Sequence, residues 1–161
     1  MAGKGTGGGG PAGQVPGAHL LIIEARYYED IADEMIAGAV AEIEAAGATY
    51  ERIAVPGALE IAQVITMAGE AVFAYDGVLA LGCVIRGETA HYDIVCNNAN
   101  HWLYEAAEDA AMPVGNAILT VDTREQALAR ARGGRDGKGG DAARACLRLI
   151  EIRRGFEERG A

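Results

Sequence analysis

Short apolar runs alternate along the chain with longer stretches in which apolar residues recur at helical spacing. Four short segments predict strands: HLLIIEA at 19–25, TYERIAV at 49–55, GVLALGCVI at 77–85 and VGNAILT at 114–120. The third segment is apolar throughout rather than alternating, which is typical of a strand buried on both faces of a parallel sheet. The chain therefore predicts a sheet whose strands are covered on both sides.

Stretches with helical spacing follow the first two predicted strands. Asp30 is the expected N-cap of the first helix, and Gly47 is expected to end it, since glycine adopts the left-handed conformation that closes helices. Proline cannot donate to a strand ladder, so the Pro56-Gly57 pair ends the second strand. The second helix is then expected to begin near Ala58.

Three more helices are predicted in the second half of the chain. The third runs from about Ala90 to Ala110, with Trp102 among its inward-facing residues. A T-x-x-Q capping box at Thr123 starts the fourth helix, because a threonine hydroxyl can accept a backbone N–H of the first turn. The stretch GGRDGKGG interrupts it, and the last helix begins near Asp141 with Leu149 on its apolar face.

The regular alternation of strands and helices predicts an α/β fold, a three-layer α/β/α sandwich around a central parallel four-stranded sheet. Residues 18–158 are expected to form one domain, and residues 1–17 a flexible Gly-rich tail with few side chains to bury. Ligands of such sheets bind beyond the carboxyl ends of the strands, so the site is expected there.

Composition narrows the function of this domain. The 161 residues carry a formal net charge of −9, which disfavours nucleic acid and anionic membranes as partners. The chain has no serine, which excludes Ser-His-Asp hydrolysis, and its 3 histidines make a His-rich metal site unexpected. Its 3 cysteines are widely spaced and odd in number, which argues against a disulfide framework and favours the reducing cytoplasm.

The end of the third strand carries the clearest chemical signal. After Ile85 come Arg86, Gly87, Glu88 and Thr89, at the start of a helix whose free N–H groups and positive dipole end favour a phosphate. His91 follows, and an imidazole beside a phosphate is a candidate general acid and base at neutral pH. The alternative is an ordinary surface histidine in the first turn of a helix.

The other strand ends allow two interpretations each. Glu60 could bind ligand hydroxyls or simply offset the dipole of its helix. The adjacent Tyr27 and Tyr28 could stack on a planar ring or serve only in packing. Cys83 is not expected to be a nucleophile, since a thiolate within an apolar strand is costly. A basic cluster near the end of the fourth helix could bind phosphate or complement the helix dipole: Arg130, Arg132, Arg135 and Lys138.

Four motifs occur together in this chain: VPGALEI, LGCVIRGETAHYD, PV…ILT and EQALARA…GKG. In this order and spacing they resemble the lumazine synthase family of riboflavin biosynthesis, from about Leu20 to Phe156. The resemblance implies a flavodoxin-like fold and the condensation of 5-amino-6-(D-ribitylamino)uracil with 3,4-dihydroxy-2-butanone 4-phosphate. It implies no metal or redox cofactor. It also implies a homopentamer with sites between neighbouring subunits, which in some members assembles further into a shell, and an isolated monomer is expected to be inactive.

The resemblance assigns roles to individual residues. His91 matches the proton carrier, the one residue assigned to catalysis. Glu88, through its backbone N–H, Thr89 and Arg130 match the butanone phosphate ligands, and Lys138 falls near the phosphate region. The ribitylaminouracil ligands are matched by eight residues, of which the first stacks on the pyrimidine: Tyr27, Ala58, Leu59, Glu60, Cys83, Val84, Ile85 and Asn116.

Four positions depart from the family pattern. Tyr27-Tyr28 stands where the family commonly has Phe-Asn, Leu59 stands where a phenylalanine is frequent, and Asn116 replaces an aromatic ring supplied by a neighbouring subunit. Losing that ring weakens stacking by about 1 kcal/mol. These departures keep other functions open: a flavin-binding module without catalysis, a shell protein that has lost its chemistry, or a phosphosugar isomerase.

Overall fold

The computed structural model describes residues 13–71 and 74–160, and in them all four predicted strands are confirmed. The strands are β1 (His19–Ala25), β2 (Thr49–Val55), β3 (Gly77–Ile85) and β4 (Val114–Val121). The helices are α1 (Glu29–Ala45), α2 (Ile61–Glu70), α3 (His91–Asp109), α4 (Arg124–Ala131) and α5 (Lys138–Gly160). Two 3₁₀ turns, Ala58–Glu60 and Gly134–Asp136, precede α2 and α5.

The four strands form a single parallel sheet in the order β2-β1-β3-β4. One core cluster joins α1, α4 and α5 to one face of this sheet, and a second joins α2 and α3 to the other face. Alternate residues of β1 belong to opposite clusters, as in Leu20 and Leu21, so this strand is buried on both sides. The predicted three-layer α/β/α, flavodoxin-like architecture is confirmed.

The strand order places a topological switch point between β1 and β3. The chain leaves β1 toward α1 on one face of the sheet, and it leaves β3 toward α3 on the other face. Neighbouring parallel strands whose connections diverge in this way open a crevice at their carboxyl ends, where ligands of such folds bind. The fold therefore prepares a site beyond Ala25 and Ile85.

The start of α1 differs from the prediction. Tyr28, not Asp30, is the N-cap residue, and its side chain makes no capping hydrogen bond. The Asp30 carboxylate instead pairs with Arg124 at the start of α4, because Asp30 lies inside the first turn and faces that helix. The predicted helix end is confirmed, since Gly47 follows the C-cap with φ of +75°.

Two side chains predicted to face inward lie at the surface. Trp102 is 55% exposed, because the buried line of α3 runs through Ala99, Leu103 and Ala107, one residue further around the helix. Leu149 is 43% exposed for a similar reason, since α5 buries Leu147 and its neighbours instead. When apolar residues are neighbours on a helix, helical spacing alone does not predict which of them packs against the sheet.

The last helix begins three residues earlier than predicted, at Lys138 rather than Asp141. A Cβ atom on Gly139 would overlap the carbonyl oxygen of Met35 in α1. The glycines that predicted an interruption thus let the backbones of two helices meet, which is one recognised use of a residue without a side chain.

A buried carboxylate fastens the turn before α5 to α1. Glu42 is 4% exposed and accepts hydrogen bonds from Arg135 at 2.9 Å and from Arg144 at 2.5 Å. Burial alone would raise the pKa of the Glu42 carboxyl, but the two guanidinium groups outweigh burial and lower its pKa. The carboxylate therefore stays charged and holds three segments together.

The predicted Gly-rich tail falls partly outside the described residues, since nothing is described before Gly13. Within the described part, Val15 is buried and its N–H donates to the carbonyl of Ala46 at 2.9 Å. The division into tail and domain stays a prediction. In the described ranges, no helix has the length and hydropathy needed to cross a membrane.

We expect Gly139→Ala to lower the free energy of unfolding by about 1–3 kcal/mol, the usual cost of forcing atoms into a packed contact. The added methyl meets backbone of α1, which cannot move aside as a side chain could. Urea unfolding at fixed protein concentration measures the change. Gly155→Ala in the same helix is the control, since its Cβ meets only Arg159 Nη2 at 3.9 Å. That control should gain up to about 1 kcal/mol, and equal effects of both variants would contradict the close approach.

We expect Glu42→Gln to lower the free energy of unfolding at pH 7 by about 2 kcal/mol, the scale of hydrogen bonds to a charged group. Because the pKa of Glu42 is lowered on folding, its contribution is complete above the ordinary value of 4.5 and is lost as the pH falls through the lower folded value. The difference between wild type and variant should therefore shrink toward acid in unfolding curves. Glu44→Gln, an exposed neighbour on α1, should show no such difference at any pH.

Candidate active site

A cavity of about 250 Å³ lies at the carboxyl ends of β1 and β3. Its lining comes from Tyr27-Tyr28 after β1, Gly57–Glu60 after β2, Cys83–Ile85 at the end of β3, and His91 and Val95 of α3. The cavity thus occupies the crevice that the switch point creates. It brings together eight of the residues singled out in the sequence: Tyr27, Ala58, Leu59, Glu60, Cys83, Val84, Ile85 and His91.

Two tyrosines form the wall that follows β1. Their ring centroids lie 4.9 Å apart, with the planes inclined by 71° in an edge-to-face pair. Tyr28 is half-buried against the core, and burial together with the neighbouring Tyr27 raises the pKa of its phenol. Tyr27 is 74% exposed and turns its ring outward. Tyr28, which packs against the core, supports the Tyr27 ring along one edge. The rest of the Tyr27 ring is free to stack on a ligand.

The segment after β2 turns sharply into α2. Pro56 and Gly57 end the strand, and Gly57 is fully extended before the 3₁₀ turn Ala58–Glu60. A Cβ on Gly57 would lie 3.3 Å from Oε2 of Glu60, so the carboxylate lies directly over this glycine. Among the described residues, no side chain donates a hydrogen bond to Glu60. Its carboxylate is available to accept hydrogen bonds from hydroxyl or N–H groups in the cavity.

The end of β3 offers backbone rather than side-chain chemistry. β1 pairs with β3 only as far as Leu81, whereas β4 pairs with β3 as far as Ile85. Residues 82–85 are therefore held along one edge and lack a strand along the other. Burial raises the pKa of the Cys83 thiol to about 11, so it is neutral at pH 7 and unsuited to nucleophilic attack. A planar ligand with amide-like edges can pair with the open backbone, as another strand would.

His91 is the first residue of α3 and contributes an imidazole to the cavity wall. Its backbone N–H donates to Oγ1 of Thr89 at 3.3 Å, which fixes the turn between β3 and α3. Glu88 and Thr89 are exposed on this turn and do not line the cavity itself. The positive dipole end of the helix makes this turn suited to an anion beside the imidazole.

Three predicted site residues lie away from the cavity. Asn116 in β4 donates to Oδ1 of Asn100 at 2.7 Å and accepts from the backbone N–H of Ile118 at 2.9 Å. Arg130 donates to the carbonyl of Gln126 at 3.0 Å near the end of α4. Lys138 pairs with Asp141 at 3.0 Å at the start of α5. None of the three lines the cavity of its own chain.

Three lining residues have no role assigned by the resemblance. Tyr28 was a candidate for stacking beside Tyr27, and Gly57 adjoins predicted residues, so the place of both follows once the strand ends are known. Val95 lies one helical turn after His91, so i, i+4 spacing on the third helix was a signal that could have identified it.

Metal chemistry has no support in the donor groups of this region. Across residues 13–71 and 74–160, no group of three His, Cys, Asp or Glu side chains is arranged to hold a metal ion. The cavity offers instead an aromatic ring, a free carboxylate, an open strand edge and an imidazole next to a helix start. This set suits a planar polar ring joined to, or reacting with, an anionic group.

Comparison with known proteins identifies a family with this fold. The model of the 6,7-dimethyl-8-ribityllumazine synthase family matches residues 17–154. The relative of that name from Azorhizobium caulinodans is 52% identical over 151 residues, which cover 91% of this chain and 93% of the relative. The relative from Methylorubrum extorquens is 54% identical over 142 residues, 86% of this chain and 82% of the relative.

A third relative, 6,7-dimethyl-8-ribityllumazine synthase 1 of Rhodopseudomonas palustris, is 49% identical over 144 residues. That alignment covers 87% of this chain and 88% of the relative. The residues matched by the family model include every segment that lines the cavity. The chain belongs to the 6,7-dimethyl-8-ribityllumazine synthase family.

Proposed function

We propose that the cavity beyond β1 and β3 is the active site in which this chain makes 6,7-dimethyl-8-ribityllumazine. The substrates are 5-amino-6-(D-ribitylamino)uracil and 3,4-dihydroxy-2-butanone 4-phosphate, and the reaction is a transferase step of riboflavin biosynthesis. The observation that carries the assignment is the joint lining of one cavity by Tyr27, the open end of β3 and His91. This condensation requires an aromatic ring to stack on the pyrimidine, backbone groups to pair with the polar edge of the pyrimidine, and a side chain that carries protons.

The chemistry consists of proton transfers around two bond-forming steps. The 5-amino group of the uracil attacks the ketone carbon, and loss of one water gives an imine. Elimination then breaks the C–O bond to phosphate, which leaves with that electron pair. The ribityl-bearing nitrogen next closes the ring, and a second water is lost. Each step moves a proton on or off carbon, nitrogen or oxygen, and the imidazole of His91 can accept and donate these protons.

The ribitylaminouracil fits the inner part of the cavity. Its pyrimidine stacks on Tyr27, and its polar edge pairs with the backbone of Cys83, Val84 and Ile85. The ribityl chain runs along Ala58 and Leu59, where the Glu60 carboxylate accepts hydrogen bonds from its hydroxyls. Two observations support this arrangement: the Tyr27 ring is 74% exposed, and no described side chain donates a hydrogen bond to the Glu60 carboxylate.

The butanone phosphate occupies the turn before α3. Its phosphate accepts backbone N–H groups at Glu88 and Thr89, so the carboxylate of Glu88 can point away from it. His91 then lies between the phosphate and the pyrimidine, where the imine forms. The positive dipole end of a 19-residue helix and the exposure of Glu88 and Thr89 support a phosphate at this position.

The working site is shared between copies of the chain in a homopentamer. Arg130, Lys138 and Asn116 match the family's ligand positions but lie away from the cavity of their own chain. They reach a substrate only if another copy supplies them. The large apolar side chains exposed on α3, Ile94 and Trp102, support an interface of this kind.

We place the protein in the cytoplasm. Its three cysteines, Cys83, Cys96 and Cys146, are all unpaired thiols. Unpaired thiols are typical of proteins that work in a reducing compartment.

We expect the purified protein to form the fluorescent lumazine from both substrates, and His91→Ala to lower kcat by about 10²-fold, as loss of an acid–base group does. A residual rate should persist, because positioning of the two substrates remains. Continuous fluorescence at saturating substrate measures both values. His101→Ala is the matched control, since this second histidine of α3 is exposed and lies outside the cavity.

The same assay can overturn the assignment. No product from correctly assembled wild-type protein would remove the catalytic proposal and leave a flavin-binding protein, which riboflavin titration would then detect. Equal losses in His91→Ala and His101→Ala would show that His91 has no special part in proton transfer.

Mixing two inactive variants tests the shared site. Arg130→Ala and His91→Ala should each be weakly active alone. Unfolded together and refolded as mixed rings, they should recover about a quarter of the wild-type activity, since random mixing around a heterologous ring leaves about one site in four intact. Activity per chain after refolding is the measurement, with each variant refolded alone as its reference. No gain on mixing would place both residues in the same chain's site or exclude Arg130 from it.

A further inference from the structure

Arg86 is the first residue beyond β3, and its side chain makes three contacts in three directions. Its Nε donates to Oδ1 of Asp122 at 2.8 Å, in the turn between β4 and α4. Its Nη1 lies 3.7 Å from Oδ1 of Asp93, in the first turn of α3. Its guanidinium carbon lies 4.1 Å from the centroid of the Tyr92 ring. One side chain thus joins the end of β3, the end of β4 and the start of α3.

These contacts close a short loop at both of its ends. The loop runs from Arg86 to His91 and holds the exposed residues Gly87, Glu88 and Thr89. At its start, the Arg86 N–H donates to the carbonyl of Val121 at 2.9 Å, which continues the β3–β4 ladder by one bond. At its end, the two residues after His91 meet the Arg86 guanidinium. The first turn of α3 is therefore fastened to the sheet through Arg86.

Asp122 is itself a firm anchor for this contact. Its backbone N–H donates to Oε1 of Gln126 at 2.8 Å, and the Gln126 N–H donates to Oγ1 of Thr123 at 3.2 Å. This reciprocal arrangement at the start of α4 fixes the backbone from which the Asp122 carboxylate extends. The Asp122 carboxylate accepts a hydrogen bond from Arg86. The start of α4 is therefore connected, through Arg86, to the loop before His91.

Arg86 already has partners within its own chain. Asp122 and Asp93 lie 2.8 Å and 3.7 Å from its guanidinium nitrogens, and the Tyr92 ring lies against one face of the group, which leaves the side chain 47% exposed. An arginine that binds a phosphate presents its donor fork to the ligand. Arg86 presents part of that fork to Asp122 instead, and it does not line the cavity.

We infer that Arg86 is a positioning residue, which sets the place of His91 and of the N–H groups before it without binding substrate. The inference rests on the proposed function, because it is this reaction that needs the imidazole in a fixed place. We call the contacts of Arg86 with Asp122, Asp93 and Tyr92 the clamp. Displacement of a catalytic group by about 1 Å can lower the rate by as much as 10²-fold, so loosening the clamp should reduce turnover.

The effect of Asp122→Asn on kcat and on the KM for the butanone phosphate shows whether Arg86 is a positioning residue or a phosphate ligand. In a clamp, Asp122→Asn weakens the hold on Arg86, and kcat falls by about threefold, while Arg86→Gln lowers it by about tenfold. The double variant should be no slower than Arg86→Gln alone, because Asp122 acts only through Arg86. The KM for the ribitylaminouracil should stay unchanged in all three variants.

If Arg86 bound the phosphate of the substrate, the two variants would act mainly on KM and not on kcat. Removing the Asp122 charge would free the guanidinium, and the KM for the butanone phosphate would stay the same or fall. Arg86→Gln would then raise that KM with little change in kcat. This pattern would overturn the inference, and inorganic phosphate as a competitive inhibitor gives an independent reading of the same two variants.

Amide hydrogen exchange provides a readout that needs no activity. Exchange of the amides of residues 87–93 should be faster in Arg86→Gln than in wild type, with unchanged exchange in the strands showing that the variant is folded. Unchanged exchange in this loop would overturn the clamp, even if the wild type proved inactive and the proposed function failed. Arg148→Gln is the matched control, because its partner Glu151 lies on the same helix, away from the cavity. It should alter neither kcat nor the loop exchange.

Discussion

The site depends on a mismatch in the pairing of two neighbouring strands. β3 pairs with β1 only as far as Leu81, and it then continues for residues 82–85 with support from β4 alone. If β1 were longer, its ladder would consume the backbone groups that face the cavity. If β3 were shorter, Cys83 and Ile85 would not reach the cavity wall. The chains leaving β1 and β3 also pass to opposite faces of the sheet, so no described strand pairs with the edge left open.

The sequence predicted this framework well because strand and helix patterns are local. All four strands lie within a residue or so of their predicted bounds, and the run GVLALGCVI identified the central strand by its lack of alternation. The errors arose where a non-local contact decides the outcome. Asp30 suited an N-cap by residue type, yet Arg124, almost a hundred positions along the chain, holds it inside the helix. Gly139 predicted a break, yet a second helix backbone makes glycine necessary there.

The site residues also differ in how well local patterns predict them. Residues close to a strand end, such as Glu60 and His91, meet in one cavity because parallel strands end at one edge of the sheet. Asn116 and Arg130 do not, since one lies inside β4 and the other at the far end of α4. No pattern within one chain can show whether a residue serves the cavity of another copy. Their roles follow from the resemblance, not from a pattern in the chain.

The electrostatics of the β3–α3 turn connect the chemistry to assembly. Within one chain Arg86 lies against two carboxylates, Asp93 and Asp122, and the turn also carries Glu88, so these four side chains sum to a negative charge. The start of α3 contributes only about half a positive charge, which cannot by itself balance a phosphate dianion there. In the proposed site a further cation comes from outside the turn, and Arg130 does not line the cavity of its own chain. In the proposed pentamer a neighbour supplies it, and an isolated chain would then bind the pyrimidine better than the phosphate. Assembly would thereby control the second substrate more than the first.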